Sequence, residues 1–228
     1  MNDSYKLRLK FWGTRGSIPC PGSETVKYGG NTTCFELNYG DERLIIDAGT
    51  GIRSLGKQIM MNEGNLLNAK LFFTHTHMDH IQGLPFFAPL YNPNSNVNLY
   101  AGHLDGDNYD LRGIIGTMLM KDPVFPVPSS LIEKACTFND YKVGTTFDLG
   151  DVTVRTGKLN HPNGACGYRI ECGDKAIAIC TDTEHFEDRL DENVLELADQ
   201  ADIMVYDAAY TDEEYPNFKG WGHSTWQE

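Results

Sequence analysis

The sequence predicts a single α/β sandwich over residues 1–228, and three observations carry that expectation. Its apolar runs are short and rich in β-branched and aromatic residues, which is the composition of strands. These runs alternate with stretches whose apolar residues recur at helical spacing. The theme of strands followed by helices occurs twice with no linker-like stretch between, so the elements read as layers around one core. A chain of this length buries roughly three quarters of the surface it exposes when unfolded, enough for a core without staples.

In chain order, Leu7–Trp12, Thr33–Tyr39, Arg43–Asp47 and Lys70–Thr74 read as strands. Between the last two, Gly51–Met61 places Ile52, Leu55, Ile59 and Met60 on one helical face. Val97–Ala101 is a further strand, Asp110–Met120 a helix, and Pro123–Ser130, with three prolines, a loop. The second half predicts strands at Val152–Lys158, Gly167–Cys172 and Lys175–Thr181, the last two joined by a hairpin turn at Gly173-Asp174. A helix at Leu190–Ala198 and a strand at Asp202–Tyr206 follow.

Charge excludes more than it specifies. Acidic residues outnumber basic ones 32 to 19, giving a net charge of −13, and no Lys/Arg block occurs. A protein that grips long nucleic acid needs cations to displace phosphate counterions, so the expectation is no long nucleic acid as partner. No run approaches the ~20 apolar residues of a membrane span. The first ten residues have no apolar h-region, and six cysteines occur without a CxxC pair. Both point to a cytoplasmic protein with reduced thiols and no membrane partner.

The strongest local signal is Thr74-His75-Thr76-His77-Met78-Asp79-His80, at the end of an apolar strand and the start of a helix. In extended chain His75 and His77 point to one side, so one metal can take both imidazoles. Asp79 and His80 come after the turn and face a neighbouring position, where a second metal can sit. Two later strand ends offer further ligands, His161 after Val152–Lys158 and Asp182 after Lys175–Thr181. Taken alone, His161 is as readily a surface loop residue and Asp182 a helix N-cap. In company with the HxHxDH segment both are candidate ligands. The mixed imidazole and carboxylate set suits zinc or manganese.

The glycine-rich loops Gly13–Ser17 and Gly29–Thr33 offer backbone N–H groups of the kind that cradle phosphate. Thr14, Arg15, Asn31 and Thr32 are therefore candidate substrate-binding residues, although ordinary tight turns explain the loops equally well. Residues 103–140, with His103 and the Met118/Met120 pair, could cover a substrate, or the methionines could fill core space. His185 reads as a surface residue.

HTHMDH at 75–80, HPNG at 161–164, TDT at 181–183 and GHST at 222–225 together resemble the metallo-β-lactamase superfamily. The segments FWGTRGSIP at 11–19 and YGGNTTC at 28–34 are similar to its phosphodiesterase branch, which includes ribonuclease Z and cyclic-nucleotide phosphodiesterases. The resemblance implies a four-layer αββα sandwich and a metal-dependent phosphodiesterase. It implies that His75, His77 and His161 hold one divalent ion, that Asp79 and His80 hold a second, and that Asp182 bridges. His223 would be a catalytic histidine outside the metal shell, with Asp207 as its carboxylate partner and Asp79 also at the reaction centre. The family's last ligand, a histidine well beyond GHST, has no counterpart up to Glu228. The expectation is thus a sandwich without its final helix-strand unit, weak in its second metal and prone to self-associate through Tyr206–Tyr210 and Trp221.

Small phosphodiesters, cyclic nucleotides first, are the expected substrates. A thioester or lactam hydrolase is a second reading, but neither substrate leaves as an alkoxide that needs His223. A regulatory or interaction domain with an incomplete metal site is a third.

Overall fold

Described residues of the computed structural model are 6–104 and 108–228. The chain divides between Asp140 and Tyr141 into two compact units. The first holds a six-stranded sheet in the order β1 (Arg8–Gly13), β2 (Cys34–Tyr39), β3 (Glu42–Ile46), β4 (Asn68–Phe73), β5 (Asn96–Ala101), β6 (Cys136–Asp140). β1 to β3 are antiparallel neighbours, whereas β3 to β6 pair in parallel. Parallel neighbours need a crossover, and α1 (Gly51–Glu63) supplies it between β3 and β4. Ile52, Leu55 and Ile59 of α1 are buried at helical spacing, and Gly64 ends the helix in the left-handed region at φ 71°. That face packs on alternate residues of the sheet, Ile45 of β3, Leu71 and Phe73 of β4, and Val97 and Leu99 of β5. Each fully buried side chain of this size contributes about 1.5–3 kcal/mol.

After the short α2 (Met78–Ile81), the helix expected at 110–120 is α3 (Leu111–Ile114), which runs on as a π-helical stretch over Ile115–Leu119. Its first turn is fixed by Asp110, whose side chain accepts the Gly113 N–H at 2.6 Å. Met120 is buried in the core, but Met118 is exposed, so only one of that pair fills space.

The second unit holds a five-stranded sheet in the order β11 (Ile203–Tyr206), β10 (Lys175–Cys180), β9 (Ala165–Cys172), β8 (Val152–Leu159), β7 (Thr146–Leu149). Cys172 pairs with Lys175 across the expected two-residue hairpin, with Gly173 at φ 62°. α4 (Glu192–Ala198) is capped by Asp191, which accepts the N–H groups of Asn193 and Val194. Val194 and Leu197 pack on Leu159, Ala165 and Cys180.

Two strands escape the sequence reading, β6 and β7. Both lie at sheet edges, β7 alternating exposed and half-buried residues and β6 burying only Cys136, so neither produces the apolar run that marks a central strand. Among the described residues the six cysteines are free, and all but Cys20 are buried. No described helix is long and apolar enough to cross a membrane.

Candidate metal centre

In the first unit β3 and β4 run in parallel and end side by side, so the residues just past them share one edge. Asp47 follows β3 with φ 62° and is fully buried. Its carboxylate accepts the Thr74 backbone N–H at 2.7 Å, the Thr74 hydroxyl at 2.8 Å and His80 Nδ1 at 2.8 Å. Burial pushes the Asp47 carboxyl above its usual range, and the His80 ring and the Thr74 donors pull it back. A carboxylate only accepts, so His80 carries its proton on Nδ1 and presents the Nε2 lone pair.

That Nε2 lies 3.4 Å from Asp79 Oδ2. His75 Nε2 and His77 Nδ1 converge to 2.9 Å. Two nitrogens on one zinc ion, each about 2.0–2.1 Å from it, lie roughly 3 Å apart. The ring of His103 meets the loop between these histidines, with Nε2 2.9 Å from Thr76 Oγ1. Its pKa is lowered to about 4, chiefly by burial and further by His77 and His80.

The glycine-rich loops are spent largely on the protein itself. The N–H groups of Thr14 and Arg15 donate to the Asn31 carbonyl at 3.1 and 3.0 Å. That of Thr32 donates to Thr50 Oγ1 at 2.9 Å, and that of Ser17 to Asp79 Oδ2 at 2.7 Å. Gly49 lets these segments meet, since a Cβ there would lie 2.4 Å from the Asp79 carbonyl and 2.5 Å from Thr32 Oγ1. The GTRGS loop therefore positions a candidate ligand. Thr32 is buried, while the side chains of Thr14 and Arg15 are exposed.

In the second unit β8, β10 and β11 all run one way, so His161, Asp182 and Asp207 follow strand ends at one edge. Asp182 is buried at φ 54°, a region that non-glycine residues rarely adopt. Asp207 Oδ1 accepts the Ala209 N–H at 3.0 Å, and Oδ2 accepts the Thr183 N–H at 3.2 Å and His223 Nδ1 at 2.7 Å. His161 Nδ1 lies 2.8 Å from the Gly222 carbonyl, which can only accept, so His161 carries its proton on Nδ1.

His161, Asp182 and His223 each offer a donor atom within 4.8 Å of one another. His223 Nδ1 lies 3.9 Å from Asp182 Oδ1, and that nitrogen is also bound to Asp207. The donor sets of both units fit divalent metal. They mix imidazole with carboxylate, they are largely buried, and outer acceptors fix the tautomers of His80 and His161.

Sequence reasoning missed three residues here. Asp47 had only its place at a strand end as a signal, and Glu184 only its place directly after Thr-Asp-Thr. His185, read as a surface residue, is half-buried with Nδ1 2.7 Å from Ser224 Oγ, because the 222–225 segment folds against it.

Gly222 has φ 84°, and a Cβ there would lie 2.3 Å from both His161 Nδ1 and Pro162 Cδ. Gly222→Ala is expected to cost about 1–3 kcal/mol in strain. That reads as a fall in Tm of about 2–4 °C per kcal/mol, with weaker retention of metal on dialysis. An unchanged Tm and metal content would mean that the segment yields freely.

Two mixed sheets whose strand ends carry such histidines and aspartates define the metallo-β-lactamase fold. A metallo-β-lactamase fold protein from Bacillus subtilis superposes with a TM-score of 0.69 at 16% identity, covering 96% of this chain and 78% of that one. The short form of human tRNase Z gives 0.65 at 20% identity, covering 96% and 85%. The chain belongs to the β-lactamase superfamily domain family, whose model matches residues 42–228. Among curated relatives, the ribonuclease Z of Natronomonas pharaonis is 28% identical over 165 residues, 72% of this chain. That match spans about half of the relative's length, 47%.

Proposed function

We propose that the chain is one domain, 1–228, that binds two divalent ions, zinc or manganese. The protein is then a metal-dependent hydrolase of small phosphodiesters, with cyclic nucleotides the first candidates. His75, His77 and His161 would hold one ion, Asp79 and His80 the other, with Asp182 between them. When bound, such a pair supplies an activated water at neutral pH and neutralises phosphoryl charge. Family membership and the fixed tautomers of His80 and His161 support this assignment.

The observation that carries the phosphodiester reading is the 2.7 Å bond between His223 Nδ1 and Asp207 Oδ2. The carboxylate orients the ring and favours its protonated form, leaving Nε2 to give a proton to a departing alkoxide. Thioester and lactam cleavage expel no alkoxide, a thioester releasing a thiolate that leaves without a proton. Arg15, exposed on the loop that grips Asp79, is assigned to the substrate phosphate, with Thr14, Asn31 and Thr32 shaping the loop around it. A cytoplasmic location belongs to the same proposal, supported by the free cysteines.

RNA is the competing substrate, because curated relatives are ribonuclease Z proteins. The net charge of −13 weighs against it. Assays of cyclic nucleotides and of precursor tRNA at rising salt separate the two. Diester hydrolysis is expected to vary little between 50 and 200 mM salt. A nuclease holding 6–10 phosphates would lose about 10³–10⁵ in affinity over that range. Efficient tRNA cleavage with such a slope would overturn the small-substrate reading.

A further inference from the structure

Gly220 and Gly222 both sit in the left-handed region, at φ 85° and 84°, and their N–H groups point at one side chain. Glu184 Oε1 accepts the Gly220 N–H at 2.7 Å and the Tyr215 hydroxyl at 2.9 Å, while Oε2 accepts the Gly222 N–H at 2.9 Å. The backbone of Glu184 is tied in turn to the residue before His161. Its N–H donates to the Asn160 carbonyl, and Asn160 Nδ2 donates to the Glu184 carbonyl, both at 2.8 Å. One residue therefore bolts together the turn that bears the Gly222 carbonyl and the segment that bears the imidazole facing it.

We propose that Glu184 is a positioning residue for the metal centre: it fixes the 220–222 turn so that the Gly222 carbonyl holds His161 in the Nδ1–H tautomer, leaving Nε2 for a metal ion. A carboxylate is the side chain suited to this, because it offers two oxygens and no proton to three donors. A glutamine of the same length has one oxygen, so it must turn an N–H toward at least one glycine N–H. The inference rests on the reading of His161 as a ligand.

The test uses the whole metal-free chain and nitrogen-15 NMR of its histidine rings, then zinc affinity by competition with a chromophoric chelator. In the unaltered protein His161 is expected as the Nδ1–H tautomer with a slowly exchanging proton. Glu184→Gln should give mixed tautomers and fast exchange at that ring, and should weaken zinc binding about 10- to 100-fold, the usual effect of removing an outer-sphere partner. If that variant does not fold, Glu184→Asp, which keeps the charge but withdraws it by one methylene, should move the same signals. An Nε2–H tautomer in the unaltered protein, or an unchanged ring signal in the variant that folds, would overturn the proposal. A changed tautomer with unchanged zinc affinity would uphold Glu184 and remove His161 from the ligand set instead.

Discussion

Asp182→Ala is expected to strip the protein of bound metal and to lower phosphodiester hydrolysis by about a thousandfold or more. Losing divalent charge at the reacting phosphate costs several kcal/mol of transition-state stabilisation, and each 1.4 kcal/mol is tenfold in rate. The structure gives reasons to put the largest effect here. Asp182 lies two residues past the end of the interior strand β10, buried, with a positive φ that the surrounding backbone has to enforce. A residue held in that region costs of order 1–3 kcal/mol, and such strain tends to persist where a side chain must be aimed. Alanine removes the carboxylate, not the strain, so little stability should be recovered. Elemental analysis of dialysed protein together with a p-nitrophenyl diester assay decides the matter. Full metal content in the variant would exclude Asp182 as the shared ligand.

His223→Ala should split substrates by leaving group. Diesters that expel a sugar alkoxide need a proton on the departing oxygen, and losing a general acid there costs about 10²–10⁴ in rate. p-Nitrophenolate leaves without that proton, so its esters should be nearly unaffected. Because Asp207 holds Nδ1 at 2.7 Å, Asp207→Asn should show the same split in weaker form, its amide oxygen still able to accept from the ring. Equal losses on both substrate types would assign His223 to holding the 222–225 segment, next to its contact at Gly222, rather than to proton transfer.

Much of the fold was legible in the residues. β2 to β5 and β8 to β11 are strongly apolar or β-branched, and α1 has a clear 3.6-residue period, so each could be read locally. β6 and β7 could not, because an edge strand needs neither a buried run nor a fully apolar face. The π-helical turn at Ile115–Leu119 has no compositional mark, since its side chains suit an α-helix equally.

The site divides along the same line. His75, His77, Asp79 and His80 fall within six residues, and strand and helix periodicities alone say which of them share a side. His161, Asp182, Asp207 and His223 were found as residue types at strand ends or in a motif, and the sequence determined that they were candidates. Only the tertiary structure decided what holds each one. Asp47 fixes His80 from 33 residues away, the Gly222 carbonyl fixes His161 from 61 residues away, and Glu184 spans 36 and 38 residues to the turn that carries that carbonyl. The two glycine-rich loops, readable as phosphate cradles or as tight turns, likewise spend N–H groups on Asn31, Thr50 and Asp79. Local pattern reports how a segment lies on its own backbone, because neighbouring residues are held by fixed geometry. The partner of a hydrogen bond is set by which strand ends the sheet brings to one edge, and that depends on pairings between segments far apart in the chain.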